Sequence, residues 1–257
     1  MKKRYYIITA IVSYLFFTLS SVPAAKVISL VSDNSNMPVK LYGVYGSLWD
    51  GGANTVMIQG QPASIDDLQW SINPASLLLA SISADIEASV KEQNVVGNIN
   101  ISAMGDISAS DVRAQIDASV MQKLVNMPLG ELGGVFNINV EDFEMSDEGF
   151  PVVSANIKWN NAKLTLLETV DLGHINLDIT PEEDNRLSAK ITNNKGELSL
   201  DGTATIDPSK NYNLDLRITP EDSAKPNIRQ SLGMFAKKQT DGSYLVKRKG
   251  NLRDLGL

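Results

Sequence analysis

The sequence predicts a mainly β protein: a large antiparallel, meander-type sheet, either curved or folded into two layers, with few short helices and one N-terminal transmembrane helix. Three observations carry that expectation. Apolar and polar residues alternate over many stretches, which is the period of a strand with one buried face. Clusters of turn-forming residues separate those stretches. A charge-free apolar run follows a group of cations at the N-terminus.

The alternation is plainest where Ile82, Ala84, Ile86, Ala88 and Val90 are interleaved with Ser81, Ser83, Asp85, Glu87 and Ser89. It recurs at Phe136, Ile138 and Val140, then at Val153, Ala155, Ile157 and Trp159, and again at Ile175, Leu177 and Ile179. Leu187, Ala189 and Ile191, then Leu198 and Leu200, then Tyr212, Leu214, Leu216 and Ile218 continue it. Between these runs lie Asp147-Glu148-Gly149, Asn193-Asn194-Lys195-Gly196, Asp207-Pro208-Ser209 and Asp241-Gly242. Connections this short join antiparallel neighbours, so a meander of about ten or more strands is expected. One-sided alternation argues against a parallel sheet covered on both faces.

Helical spacing is rare. Pro74–Leu79 and Ser119–Val125 are short candidates, and Pro226–Lys238 is the best, with Pro226 in a first turn and Ile228, Leu232 and Phe235 on one face. So few helices leave a long apolar sheet face to cover. The sheet must curl, fold into two layers, or keep a groove for an apolar ligand.

Lys2, Lys3 and Arg4 precede Tyr5–Ala25, which has no charged residue. A helix over 5–25 would span about 31 Å, close to a hydrocarbon core. The cations in front place residues 1–4 in the cytoplasm and residues 26–257 in the periplasm, as one β-rich domain. A cleaved signal peptide is the rival reading, with small residues at Ala24 and Ala25. Pro23 beside the cleavage point and the length of the run favour a retained anchor. Either way the body of the chain lies beyond the inner membrane.

The 257-residue chain has a net charge of −7 and no cysteine, which removes disulfides, thiolate metal sites and cysteine nucleophiles. The charge is unevenly spread. From Lys225 onward eight Lys or Arg face only Asp241 and Asp254, so the region before them is strongly acidic. An acidic body excludes a nucleic-acid partner. A faint duplication at an offset near 90 residues relates halves of about 43–127 and 130–218: Gly46 and Gly134 each begin a half, and Trp70 and Trp159 each precede a leucine-rich stretch. Alternating strands with Asn/Gly turns also resemble one another by chance.

One motif is distinctive. Gly43, Gly46, Leu48, Trp49 and Gly51 form a G-x-x-G-x-L-W-x-G pattern soon after the membrane segment. Downstream stand Leu68-Gln69-Trp70-Ser71-Ile72-Asn73-Pro74, Leu129-Gly130-Glu131-Leu132-Gly133-Gly134, Ile157-Lys158-Trp159, Leu232-Gly233, and Asp241-Gly242-Ser243-Tyr244-Leu245 with Gly250. In this order the set resembles protein N of the type II secretion system, the general secretion pathway. Ser47 stands where that family often has threonine. The resemblance implies a single-pass inner-membrane protein with its bulk in the periplasm, accessory to export of folded proteins through an outer-membrane secretin. Its implied partners are the inner-membrane platform, the connector or the secretin. It transfers no catalytic residue, cofactor or metal.

The residues themselves point to no chemistry. His174 is the only histidine and falls on the polar parity of its strand, where a solvated side chain is expected. Asp66-Asp67, Glu141-Asp142, Glu182-Glu183-Asp184 and Glu221-Asp222 lack calcium-loop spacing and lie beside turns. No phosphate-binding glycine loop or nucleophile elbow is present. Gly43, Gly46 and Gly51 are expected to make tight turns around Trp49, and Trp49, Trp70 and Trp159 to anchor packing, with partner docking at Trp49 the alternative. Lys247, Arg248 and Lys249 would meet anionic headgroups or an acidic partner, or else guard an exposed edge strand. The functional expectation is therefore a non-enzymatic envelope adaptor of type II secretion. The alternative is an anchored β-groove handling lipid or another apolar ligand, loosely similar to the AsmA-like envelope proteins.

Overall fold

In the computed structural model, residues 5–6, 22–34, 39–59, 64–90, 93–124, 130–145, 149–165 and 168–255 are described. The expected membrane segment lies outside these residues except at its two ends. Among the described residues no helix is long and apolar enough to cross a membrane.

The chain divides into two compact units, residues 1–102 and 103–257. The first holds helix α1 (Ala24–Asn34) and strands β1 (Val39–Gly46), β2 (Asp50–Ile58), β3 (Ser64–Asn73), β4 (Ser81–Val90) and β5 (Gln93–Ser102). These five strands form an antiparallel meander in sequence order. A 3-10 turn, Pro74–Leu79, links β3 to β4. The alternation read at Ile82–Val90 is realised directly. Ile82 opposes Ile101, Ala84 opposes Ile99 and Ala88 opposes Val95, and directly opposed residues share a face.

The second unit begins with β6 (Ile107–Asp117) and α2 (Ala118–Leu124), followed by β7 (Glu131–Met145), β8 (Val152–Thr165) and β9 (Thr169–Pro181). Then come β10 (Leu187–Asn194), β11 (Leu198–Ile206), β12 (Asn211–Pro220), α3 (Pro226–Phe235), β13 (Lys237–Lys238) and β14 (Tyr244–Asn251). β6 through β12 are again a meander, but β14 lies between β12 and the short β13. The register builds one apolar row across eight strands: Ala114, Ile138, Ile157, Leu177, Ile191, Gly202, Leu216 and Val246. The reverse face is polar. Asn156 bonds Asn176 at 2.9 Å and also Asp178, and Asn176 bonds Asp178 at 2.6 Å.

Bulges keep the apolar side chains on one face where the alternation breaks. Val140 and Phe143 are three residues apart yet oppose Ala155 and Val153, which are two apart. Trp159 and Ala162 likewise oppose Ile175 and Gly173. One extra residue per bulge reverses the parity of the strand and increases its twist. Asn161 in the β8 bulge and Asp111, on β6 opposite the β7 bulge, take left-handed φ values of 49° and 52°, a conformation Asp and Asn tolerate better than most residues.

A packed core lies under α3. Ile228 and Leu232 are buried against Leu198, Ile218 and Tyr244, with Leu200, Leu216 and Val246 around them. The Tyr244 hydroxyl donates to the Arg229 carbonyl at 3.1 Å and ties β14 to the helix. Helix α3 starts at Pro226 as expected but stops at Phe235, short of Lys238. Ala236 is extended, at φ −126° and ψ 146°, and Lys237 and Lys238 pair with Leu245 and Tyr244 as β13. Strand pairing ends the helix there.

Candidate functional site

Two places collect the residues singled out in the sequence: the β1–β2 corner and the basic strand β14. At the corner, Ser47 N–H donates to Asp50 O at 2.8 Å, and Ser47 Oγ accepts from Asp50 N–H at 3.0 Å. Gly46 has φ +77°, and a Cβ there would stand 2.6 Å from Asp50 O, so only glycine fits. The Asn54 side chain fills the space beside Gly43. Trp70, opposite Gly51 on β3, passes its ring over that glycine.

Leu48 is the junction. Its N–H donates to Val22 O at 2.9 Å, while its carbonyl accepts the Trp70 indole N–H at 3.0 Å. Pro23 forms an isolated bridge with Ser47. Trp49 is half-buried, and its carbonyl accepts from Ile72 N–H at 2.6 Å. The Gly-Leu-Trp motif therefore clamps the chain leaving the N-terminal segment onto the ends of β1, β2 and β3. Trp159 is anchored similarly: its indole donates to Gly133 O at 2.9 Å and its ring stacks on Phe136 at 4.9 Å. Both tryptophans are half-buried, with ring packing on one side and a satisfied N–H.

Strand β14 carries Lys247, Arg248 and Lys249, all exposed. On one side the whole strand pairs with β12; on the other, β13 reaches only Tyr244 and Leu245. Among the described residues, no strand pairs with Val246–Asn251 on that second side. Lys247 makes an ion pair with Asp215 at 2.8 Å on the polar face. Arg248 opposes Leu214, on the face that carries the apolar row. Tyr212 lays its ring against the opposed Gly250, leaving no room for a side chain there. These cross-strand partners escaped the sequence reading because register is not local information.

The turn before β14 is held by Asp241, whose carboxylate accepts from Ser243 Oγ at 2.6 Å and Ser243 N–H at 3.0 Å and pairs with Arg217 at 2.8 Å. The Ser243 hydroxyl bond is the main reason the Asp241 carboxyl lies below its ordinary pKa, with Arg217 adding to it. Asp184 and Asp207 are lowered too, the first mainly by Arg186 and the second mainly by Asn211. All three serve turns.

His174 is half-buried rather than freely solvated. Its Nδ1 accepts from the Asn161 N–H at 3.4 Å, so it caps the β8 bulge. Among the described residues no group of three or more His, Asp or Glu is arranged to hold a metal ion.

The model of the family "Type II secretion system (T2SS), protein N" matches residues 37–247, from just before the glycine-rich corner into β14. No curated protein and no solved structure matches the chain. The match covers most of the chain and includes the corner, both anchored tryptophans and Lys247 of the basic strand. The chain belongs to the type II secretion system protein N family, a family of secretion components.

Proposed function

We propose that this secretion component is a single-pass inner-membrane protein whose β units face the periplasm and act as an adaptor toward the platform, the connector or the secretin. Residues 5–25 are the anchor, on the evidence of their length, apolarity and flanking cations. The observation that carries the adaptor reading is the open edge of β14. An unpaired edge offers main-chain groups to a partner strand, and Lys247, Arg248 and Lys249 favour an acidic partner segment. Recognition by strand addition would take its affinity from the main chain and its selectivity from these cations.

The test is crosslinking in intact cells from a photoreactive residue at Arg248, compared with one at Trp49. Crosslinks from Arg248 to another secretion subunit support the adaptor. Their absence in a secreting cell would sink docking at this edge.

The lipid-groove alternative draws support from the open apolar face of the first unit, where Ile82, Ile99 and Ile101 remain exposed. It predicts phospholipid extracted into solution with the protein. A delipidated, fully stable first unit would remove that support.

A further inference from the structure

The turn Pro74–Leu79 reverses the usual placement of polar and apolar groups. Its polar atoms point into the protein: Ser76 is buried, its Oγ donates to Asn73 O at 2.7 Å and accepts from Ser83 N–H at 3.0 Å. Asn73 caps the turn through Ala75 N–H at 3.0 Å, and Ala80 closes it in the left-handed region at φ 54°. The leucines point out. Leu78 is 89% exposed, Leu79 81% and Leu77 45%. Ile82, Ile99 and Ile101 extend the patch along the adjoining ends of β4 and β5.

This turn stands on a particular rim of the first unit. Ile72, two residues before Pro74, bonds to Trp49 O, and Leu48 bonds to Val22 O, so the turn adjoins the point where the chain arrives from residues 5–25. The segments that carry the turn and its patch, Leu68–Ala84 and Gln93–Gly105, contain no Asp, Glu, Lys or Arg, and neither does Leu41–Trp49. Asp50 and Asp85 flank Ser71 on the opposite, polar face, and Lys26 follows Pro23 where the chain arrives. A docking site for an acidic or basic partner would carry a complementary charge here. An uncharged, outward, aliphatic tip beside a membrane anchor matches a bilayer.

We propose that Leu77, Leu78 and Leu79 form a second membrane contact, inserting into the periplasm-facing leaflet of the bilayer in which residues 5–25 are anchored. The proposal rests on the anchor reading, and it holds the rim of the first unit against the membrane. Rigid presentation by Ser76 and Asn73 keeps the leucines outward.

The absence of cysteine allows a clean test. The full chain is reconstituted in phosphatidylethanolamine–phosphatidylglycerol vesicles with an environment-sensitive fluorophore on Leu78→Cys, Ile11→Cys or Glu87→Cys, and doxyl-labelled phospholipid is added as quencher. The expected result is a blue shift and loss of most emission at positions 11 and 78, with position 87 unaffected. Quenching at 11 without quenching at 78 overturns the second contact and leaves the anchor standing. Quenching at 78 without 11 keeps the contact and removes the anchor, and quenching at neither overturns both. A blue shift at 78 that lipid quencher does not touch means burial by protein, such as a second copy of the chain, and also overturns the proposal.

Discussion

The carbonyl of Leu48 accepts the indole N–H of Trp70 at 3.0 Å, while the N–H of the same leucine holds Val22. One residue thus joins the N-terminal segment to the third strand. Trp70→Phe keeps an aromatic ring but removes the indole N–H and part of the ring that covers Gly51. It should cost about 1 kcal/mol, read as a lower thermal midpoint of the purified chain. An unchanged midpoint would mean that water replaces the indole at Leu48 without penalty.

Gly46→Ala should do more. Its positive φ costs an L-residue about 1–2 kcal/mol, and the new methyl would meet Asp50 O at 2.6 Å and Gly51 Cα at 2.7 Å. The corner would have to open and release Val22 and Pro23. Limited proteolysis near residue 23 is the measurement; wild-type resistance there would show that the corner does not clamp the segment.

Leu232 is 4% exposed beneath α3. Leu232→Ala should destabilise the second unit by about 2–5 kcal/mol through lost burial and a residual cavity. Leu232→Met, which conserves volume, should cost less than about 1.5 kcal/mol. Equal losses in denaturant titrations of the two variants would contradict tight packing at this site.

The Asp241 carboxyl lies below its ordinary pKa because of Ser243 first and Arg217 second. A depressed folded pKa stabilises above the unfolded value of about 3.9, and that stabilisation is lost as pH falls through the folded pKa. Asp241→Asn should therefore lower stability at neutral pH and flatten its decline in the acid range below the unfolded value. Parallel pH–stability curves for the two proteins would show that the turn does not depend on the charge.

Charge reversal at the β14 edge separates docking from edge protection. Lys247 already faces Asp215, so a carboxylate at 247 would create a like-charge pair and confuse the result. Arg248→Glu with Lys249→Glu avoids that. The double variant should keep its circular dichroism and lose co-purification with secretion subunits. Normal co-purification would leave the cations as guards of an open edge only.

Much of the β architecture was legible because side-chain parity is a local property. Ile82–Val90, Phe136–Val140 and Tyr212–Ile218 present their apolar residues on one face as their alternation requires. β6 was harder to read, since Ala109 and Val112 lie three residues apart across the left-handed Asp111. In β1 and β2, the glycines of the Leu-Trp corner replace the side chains whose alternation would announce a strand. The basic cluster was visible as composition, but its place on a half-paired strand was not. Parity alone puts His174 on a polar face but does not give its bond to the Asn161 bulge, because that bulge exists only between paired strands.

By itself the sequence determined the β class, the face to which each alternating stretch turns, the apolar N-terminal run, and the glycine–tryptophan pattern of the family. These follow from neighbours a few residues apart. Tertiary structure alone decided the register that aligns eight strands in one apolar row, the end of α3 at Phe235, the half-open edge of β14, and the outward leucines of the Pro74–Leu79 turn. Each depends on which distant backbone supplies the hydrogen-bond partners, and a one-residue change of pairing would turn the same side chains to the opposite face.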